Sequence, residues 1–209
     1  MAPEPENKVY IVDDDTAVRD SLEALLMAHG FDVVCFPSGV DFIDACNEEC
    51  SGCVLLDIRM PRMDGMEVQA RLHAIRPDLP VIMITGHGDV SMAVRAMKAG
   101  AVDFVEKPLR EEALLEAIEA ALQIARETHR QQDLGAQALS NIEKLTPRER
   151  EVLEQLVVGR PNKVIAQALN CSPRTVEIHR ARIMEKMAAR SLPHLVRLAL
   201  AAGIEPELN

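Results

Sequence analysis

Five side chains scattered over almost a hundred residues are of the types that handle phosphate: Asp13 and Asp14 after Val9–Val12, Asp57 after Cys53–Leu56, Thr85 after Val81–Ile84, and Lys107, which precedes Pro108. Each stands where a short apolar run stops. Three carboxylates brought together repel strongly unless a hard divalent cation sits among them. Ligation by oxygen alone suits Mg²⁺, which keeps some waters and a phosphate in its shell. The chemistry these residue types suggest is phosphoryl transfer onto an aspartate.

Such a site requires elements that bring the run ends together. The runs are near-continuously apolar and rich in β-branched residues, as strands buried on both faces of a parallel sheet should be. Strands are expected at 9–12, 31–36, 53–58, 80–85 and 102–106, alternating with helices at 16–29, near 39–49, at 66–76, 89–99 and from 110 onward. Strict alternation predicts an α/β domain, a (βα)5 doubly wound parallel sheet. The carboxyl ends of its strands line the crevice where ligands bind in open α/β sheets.

The chain has 209 residues, enough for one large domain or two modest ones, and its charge favours two. Met1 to Ile124 carries 10 Lys+Arg against 23 Asp+Glu, a net of −13. Asn141 to Asn209 carries 11 against 8, a net of +3. Only the second part is a plausible nucleic-acid surface, and its few charges must be clustered to matter. No apolar run reaches the roughly 18 residues of a membrane span, and MAPEPENK has no apolar signal core, so a cytoplasmic protein without membrane contact is expected. Five cysteines without a secretion signal favour reduced thiols.

The apolar stripe Leu114, Ile118, Ala121, Leu122, Ala125 predicts a long last helix, followed by a polar segment that reads as a helical or flexible connector. Beyond it the chain reads as all-α, with explicit helix starts. Thr146-Pro147-Arg148-Glu149 combines an N-cap Thr, a Pro at the first helical position and a Glu that completes a capping box. Ser172-Pro173 repeats the cap-then-Pro device, and Arg160-Pro161 marks another entry. Helices at about 147–158, 162–169, 173–187 and 191–202 follow. The middle two are separated only by Asn170-Cys171-Ser172, the tight connection of a helix-turn-helix.

Residues 7–124 resemble the receiver domain of two-component response regulators, and ITGHGDVSMAVRAMKAGAVDFVEKP together with RMPRMDG resembles the FixJ branch. Residues 141–204 resemble the LuxR/NarL-type helix-turn-helix output domain, through LTPRERE, Gly159, Asn162-Lys163, Ile165-Ala166, Leu169, SPRTVEIHR and Ile183–Lys186. The resemblance implies a receiver at 1–124, a linker at 125–142 and a DNA-binding domain at 143–209. It implies Asp57 as phosphoacceptor for a cognate histidine kinase, with Lys107 as the phosphate's fixed cation and Thr85 and Phe104 as the switch pair. Mg²⁺, or Mn²⁺ in its place, would be held by Asp13, Asp57, the Arg59 backbone carbonyl and, through water, Asp14; no organic cofactor is implied. The Lys107–Pro108 bond is cis in receivers. The phosphorylated form would make a homodimer through the fourth helix, where Val90, Val94, Met97 and Lys98 have the spacing to face a partner. Helix 191–202 contributes to dimerisation in the family, and Leu192, Leu195, Val196, Ala199 and Leu200 are available there for packing. The implied function is transcription regulation, with promoter duplex DNA and RNA polymerase as partners and activation as the expected sign. Only slow autodephosphorylation is implied as enzymatic activity.

On helix 173–187, Val176, Ile183 and Met187 share one side; Arg174, Glu177, Ile178, Ala181 and Arg182 share the other. The second face is the one expected in the major groove, where Arg suits guanine or phosphate, Glu177 can accept from cytosine N4 and Ile178 can touch a thymine methyl. Thr175 belongs to the same reading set. Lys163, Ser172, Arg180 and Lys186 suit phosphate contacts. Relatives often carry lysines where Glu177 and Ala181 stand, which predicts weak non-specific affinity.

Other signals weigh less. Cys46, Cys50 and Cys53 have the C-x3-C-x2-C spacing of an iron–sulfur cluster, but Cys53 opens an apolar strand and free Cys is a common core residue. His87 stands two residues past Thr85, close enough to influence phosphoaspartate hydrolysis or to be a solvent-exposed loop residue. A rival reading makes the last third a sigma-factor-like segment that sequesters a protein partner; steep salt dependence of duplex binding separates the two.

Overall fold

The computed structural model describes residues 7–47, 50–86 and 90–204, the Val90 side chain excepted. The chain divides into two compact units, Met1–His129 and Arg130–Asn209. The first holds β1 (Lys8–Val12), α1 (Thr16–Ala28), β2 (Asp32–Phe36), α2 (Gly39–Ala45), β3 (Cys53–Asp57), α3 (Gly65–Ile75), β4 (Val81–Thr85), α4 (Val90–Lys98) and β5 (Asp103–Glu106). All pairings are parallel, in the order β2-β1-β3-β4-β5. This is the flavodoxin-like order, which reverses direction between β1 and β3 and opens the crevice there.

Period-two alternation sorts the strand side chains onto two cores. Tyr10, Val12, Val54, Leu56, Val81 and Met83 pack with Phe42 of α2, Val68 and Leu72 of α3 and Ala96 of α4. Val9, Ile11, Cys53, Leu55, Ile82 and Ile84 pack with Leu22 and Leu26 of α1 and with Leu114, Ile118 and Leu122. Each such aliphatic side chain contributes roughly 1.5–3 kcal/mol when fully removed from water. Doing this on both faces of the central strands explains why their sequences are continuous apolar runs.

The helix that carries Leu114, α5, runs from Glu111 to Glu143. The connector expected at 125–142 therefore lies within one helix, and Ala138 and Ile142 belong to the core of the second unit. Gly135 sits in this stretch, where an added Cβ would lie 2.9 Å from the carbonyl oxygen of Ala201.

The second unit adds α6 (Pro147–Val157), α7 (Asn162–Ala168), α8 (Pro173–Lys186) and α9 (Leu192–Ala201). The start of α6 is the expected capping box: the Glu149 N–H donates to Thr146 Oγ1 at 3.3 Å, and the Thr146 N–H donates to Glu149 Oε2 at 2.8 Å. Ser172 caps α8 by accepting from the Thr175 N–H at 3.0 Å. Val152, Leu153, Ile165, Val176, Ile183, Leu195 and Ala199 close the core with no exposed surface. Among the described residues, no helix is long and apolar enough to cross a membrane.

Candidate functional site

The register places the ends of β1, β3 and β4 side by side, with Asp57 opposite Ile84 and Val12 opposite Leu56. Asp13, Asp57 and Thr85 are consequently buried at the carboxyl edge of the sheet, with 2%, 6% and 1% of their surface exposed. Lys107 follows β5, where its N–H donates to the Thr85 carbonyl at 2.7 Å. Its ammonium donates at 2.8 Å to Asp13 Oδ2 and at 2.8 Å to Asp57 Oδ1. The Lys107–Pro108 peptide is cis.

The remaining oxygens are also engaged. Asp57 Oδ2 accepts the Arg59 N–H at 2.6 Å, and Asp13 Oδ1 accepts the Asp15 N–H at 2.9 Å. Burial pushes the Asp57 carboxyl above its ordinary range; Lys107 and the Arg59 N–H pull the other way, and the Asp13 charge adds to the rise. For Lys107, burial favours the neutral amine, but its bonds to Asp13 and Asp57 prevail and hold the ammonium above its usual value.

The loop after β3 is folded tightly onto this edge. Asp64 caps α3 in a second capping box with Glu67, and the Gly65 N–H donates to the Ile58 carbonyl at 2.9 Å. A Cβ on Gly65 would lie 2.3 Å from the Asp57 carbonyl oxygen and 2.8 Å from Ile58 Cα, so only glycine permits this approach. The RMPRMDG segment thus has a steric role at Gly65 that reading it as a motif alone leaves out.

The structure brings Asp13, Asp57 and Lys107 together but does not gather three carboxylates. Asp14 is exposed, and among the described residues no group of three or more His, Cys, Asp or Glu could hold a metal ion. The opening expectation of mutual repulsion is met differently: one ammonium bridges two acids. Two desolvated carboxylates sharing a single positive charge still leave a net negative pocket of hard oxygens, and that donor set fits a small divalent cation.

Phe104 is half-buried against the α2–α4 core, beside Met83 in the β4–β5 register. On α4, Val94 and Met97 are each 47% exposed and Lys98 is exposed. His87 and the Val90 side chain lie outside the described residues. The cysteine triplet is divided between the two faces of the sheet, because Cys46 and Cys50 pack on the α2–α4 core and Cys53 on the α1–α5 core. This separation removes the iron–sulfur geometry.

In the second unit, α7 and α8 are joined by a turn in which Asn170 takes a positive φ of 49°. Val176 and Ile183 of α8 and its C-cap Met187 are buried, whereas Arg174, Glu177, Ile178, Ala181 and Arg182 are exposed, Ile178 at 48%. Lys163 and Ser172 are exposed, Thr175 is half-buried with its hydroxyl 2.8 Å from that of Ser172, and the Arg180 guanidinium lies 3.5 Å from Asn162 Oδ1. On α9, Leu195 and Ala199 face inward and Leu200 is exposed.

The Lys186 ammonium donates at 2.7 Å to the buried Glu149 carboxylate and at 3.1 Å to the Lys144 carbonyl, which ties α8 to α6.

Residues 9–119 match the response regulator receiver domain, and residues 143–199 match the luxR family of bacterial regulatory proteins. The transcriptional regulatory protein FixJ of Bradyrhizobium diazoefficiens is 45% identical over 94% of this chain and 96% of its own length. FixJ of Rhizobium meliloti is 47% identical over 95% and 97%. The solved structure of the response regulator StyR superposes with a TM-score of 0.77 at 44% identity, covering 92% of this chain and 98% of that one. With a lysine-bridged acid pair on a flavodoxin-like sheet and a capped helix-turn-helix later in the sequence, the chain belongs to the FixJ-type response regulators, which join a receiver to a LuxR-type DNA-binding domain and regulate transcription.

Proposed function

We propose that the chain is switched by phosphorylation of Asp57 in the cytoplasm by a histidine kinase, dimerises through its receiver and then binds promoter DNA to activate transcription. The observation that carries this reading is the Lys107 ammonium held 2.8 Å from both Asp13 and Asp57. Asp13, Asp57, the Arg59 carbonyl and, through water, Asp14 would hold Mg²⁺ or Mn²⁺, which would neutralise charge on the incoming phosphoryl group.

The side chains perform the rest. Asp57 presents Oδ1 or Oδ2 as nucleophile, and accepting the phosphoryl group requires its carboxylate to exchange the present Lys107 bond for one between Lys107 and a phosphate oxygen. The new negative charge attracts the Thr85 hydroxyl, and its movement leaves room for Phe104 to turn inward. That rearrangement is transmitted to α4 and β5, where Val90, Val94, Met97 and Lys98 form the dimer face. Slow return to the unmodified state is by the receiver's own hydrolysis.

In the output domain, Arg174, Thr175, Glu177, Ile178 and Arg182 read base edges, while Lys163, Ser172 and Arg180 contact phosphates. The functional division is a receiver to about residue 124, a connector at 125–142 and an output domain from 143. Phosphorylation promotes DNA binding only by favouring a state that DNA also favours, and RNA polymerase is the next partner. The test is the intact mass of the full chain after acetyl phosphate with Mg²⁺: one phosphoryl group on Asp57, absent in Asp57→Asn. No added mass on the parent, or an unchanged signal response in the Asn variant, rejects the reading.

A further inference from the structure

Helix α4 is fastened to the receiver chiefly at one end. Among its described side chains Ala96 alone is buried, whereas Val94, Arg95, Met97 and Lys98 are exposed. Its last turn closes in a Schellman-type motif: the Ala101 N–H donates to the Ala96 carbonyl at 3.0 Å and the Gly100 N–H to the Met97 carbonyl at 3.1 Å, with Gly100 at a φ of 94°. The Ala99 N–H donates to the same Ala96 carbonyl at 3.1 Å.

Helix α3 reaches into this end. Gln69, 2% exposed, donates its Nε2 to the Ala96 carbonyl at 3.1 Å. One turn further along the same face of α3, His73 lies over Gly100, where an added Cβ would sit 3.7 Å from His73 Nδ1. The Gln69 amide is a costly filler, because its Oε1 is buried with no hydrogen-bond partner among the described residues. An apolar side chain of similar size would avoid that cost, since the Ala96 carbonyl keeps the N–H donors of Ala99 and Ala101 without it. What the amide adds is a directed bond between α3 and the C-terminal end of α4. The N-terminal end of α4 follows Thr85 at the carboxyl edge of the sheet, and the Gln69 contact lies where the chain turns back into β5 at the opposite edge.

We propose that Gln69 is a positioning residue that pins the C-terminal end of α4 to α3, so that phosphorylation displaces the helix at its N-terminal end and pivots it about Ala96. The proposal rests on the reading of Asp57 as phosphoacceptor. It adds a fixed point to that switch: the charge arrives at one end of α4 and the restraint acts at the other.

The experiment follows hydrogen exchange at single amides of the full chain, with and without acetyl phosphate and Mg²⁺, and records the intact mass of the same samples. In the parent, phosphorylation should change exchange at Val94 and Arg95 and leave Ala99, Gly100 and Ala101 as they were. Gln69→Met keeps the length of the side chain without its donor. In this variant exchange at Ala99, Gly100 and Ala101 should rise roughly fivefold before phosphorylation, the effect of losing one hydrogen bond, and change again after it, while the melting temperature stays close to that of the parent. Equal changes at both ends of α4 in the phosphorylated parent overturn the proposal, and this measurement is read whether or not the variant folds. Parent-like exchange at Ala99, Gly100 and Ala101 in the variant also overturns it. So does exchange raised throughout the receiver with a lower melting temperature, which marks a structural role alone. A parent that takes up no phosphoryl group rejects the reading of Asp57 instead, and the unmodified variant still decides whether Gln69 pins the helix.

Discussion

Lys186, at the last turn of α8, holds the buried carboxylate of Glu149, 37 residues earlier, at 2.7 Å. Glu149 also receives the Thr146 N–H, so one side chain closes the capping box of α6 and anchors α8. Its side chain is 2% exposed, and the Lys186 bond, with help from Thr146, lowers its pKa from 4.5 to about 2. A depressed carboxylate contributes stability that is complete above its ordinary range and is lost as pH falls from 4.5 towards 2. Lys186→Met strands a buried charge and should cost about 3 kcal/mol. Thermal melting of the full chain at pH 7 and pH 3 checks both effects: the variant's deficit should be large at pH 7 and shrink at pH 3.

Asp57 should show the opposite sign. Burial raises its pKa, so the folded state binds the proton more tightly than the unfolded chain, and stability declines as pH rises through the folded value. Asp57→Asn removes this burden while leaving Lys107 bonded to Asp13. The expected outcome at pH 7 is a receiver melting about 3 °C higher, the shift that roughly 1 kcal/mol makes in a domain of this size. The gain should disappear below the ordinary carboxylate range. A variant that melts lower than the parent at pH 7 contradicts the expectation.

Gly65→Ala places a methyl group against the backbone of Asp57 and Ile58. The loop must move away from the acid pocket, at a cost of about 2 kcal/mol. Phosphorylation by acetyl phosphate should slow at least about tenfold, because small displacements of a reacting group are costly. Single-turnover mass measurements on the parent and variant give the ratio.

The exposed and the engaged cations of α8 should separate in salt titrations. Replacing Arg182 or Arg174 with Ala should weaken duplex binding and relax sequence preference, while removing the phosphate-contacting charge of Arg180 or Lys163 should reduce the slope of log K against log salt by about 1. Lys186→Gln should leave that slope unchanged while lowering the melting temperature. Fluorescence anisotropy at several salt concentrations measures the slopes.

The acid pocket was legible because each of its residues ends an apolar run, and parallel strands bring such ends to one edge. What escaped was non-local. A lysine on the recognition helix looks the same in sequence whether it meets phosphate or Glu149, and the capping box disclosed only the local half of what Glu149 does. The segment after Ala125 read as a connector because it is polar around Gly135; its helical course goes with burial of Ala138 and Ile142 among residues distant in sequence. The cysteine spacing misleads for a related reason: helix and turn residues Cys46 and Cys50 meet one face of the sheet, and strand alternation sends Cys53 to the other.

The close approach of Gly135 to Ala201 bears on how this regulator can be cut into pieces. A fragment begun at residue 143 would lack the helical turn that shelters the far end of α9, and Ile142, only 4% exposed in the intact chain, would be missing from its interior. Excision just after His129 keeps that turn, so a fragment begun there retains Ala138 and Ile142 in the second unit's core, which one begun at residue 143 does not.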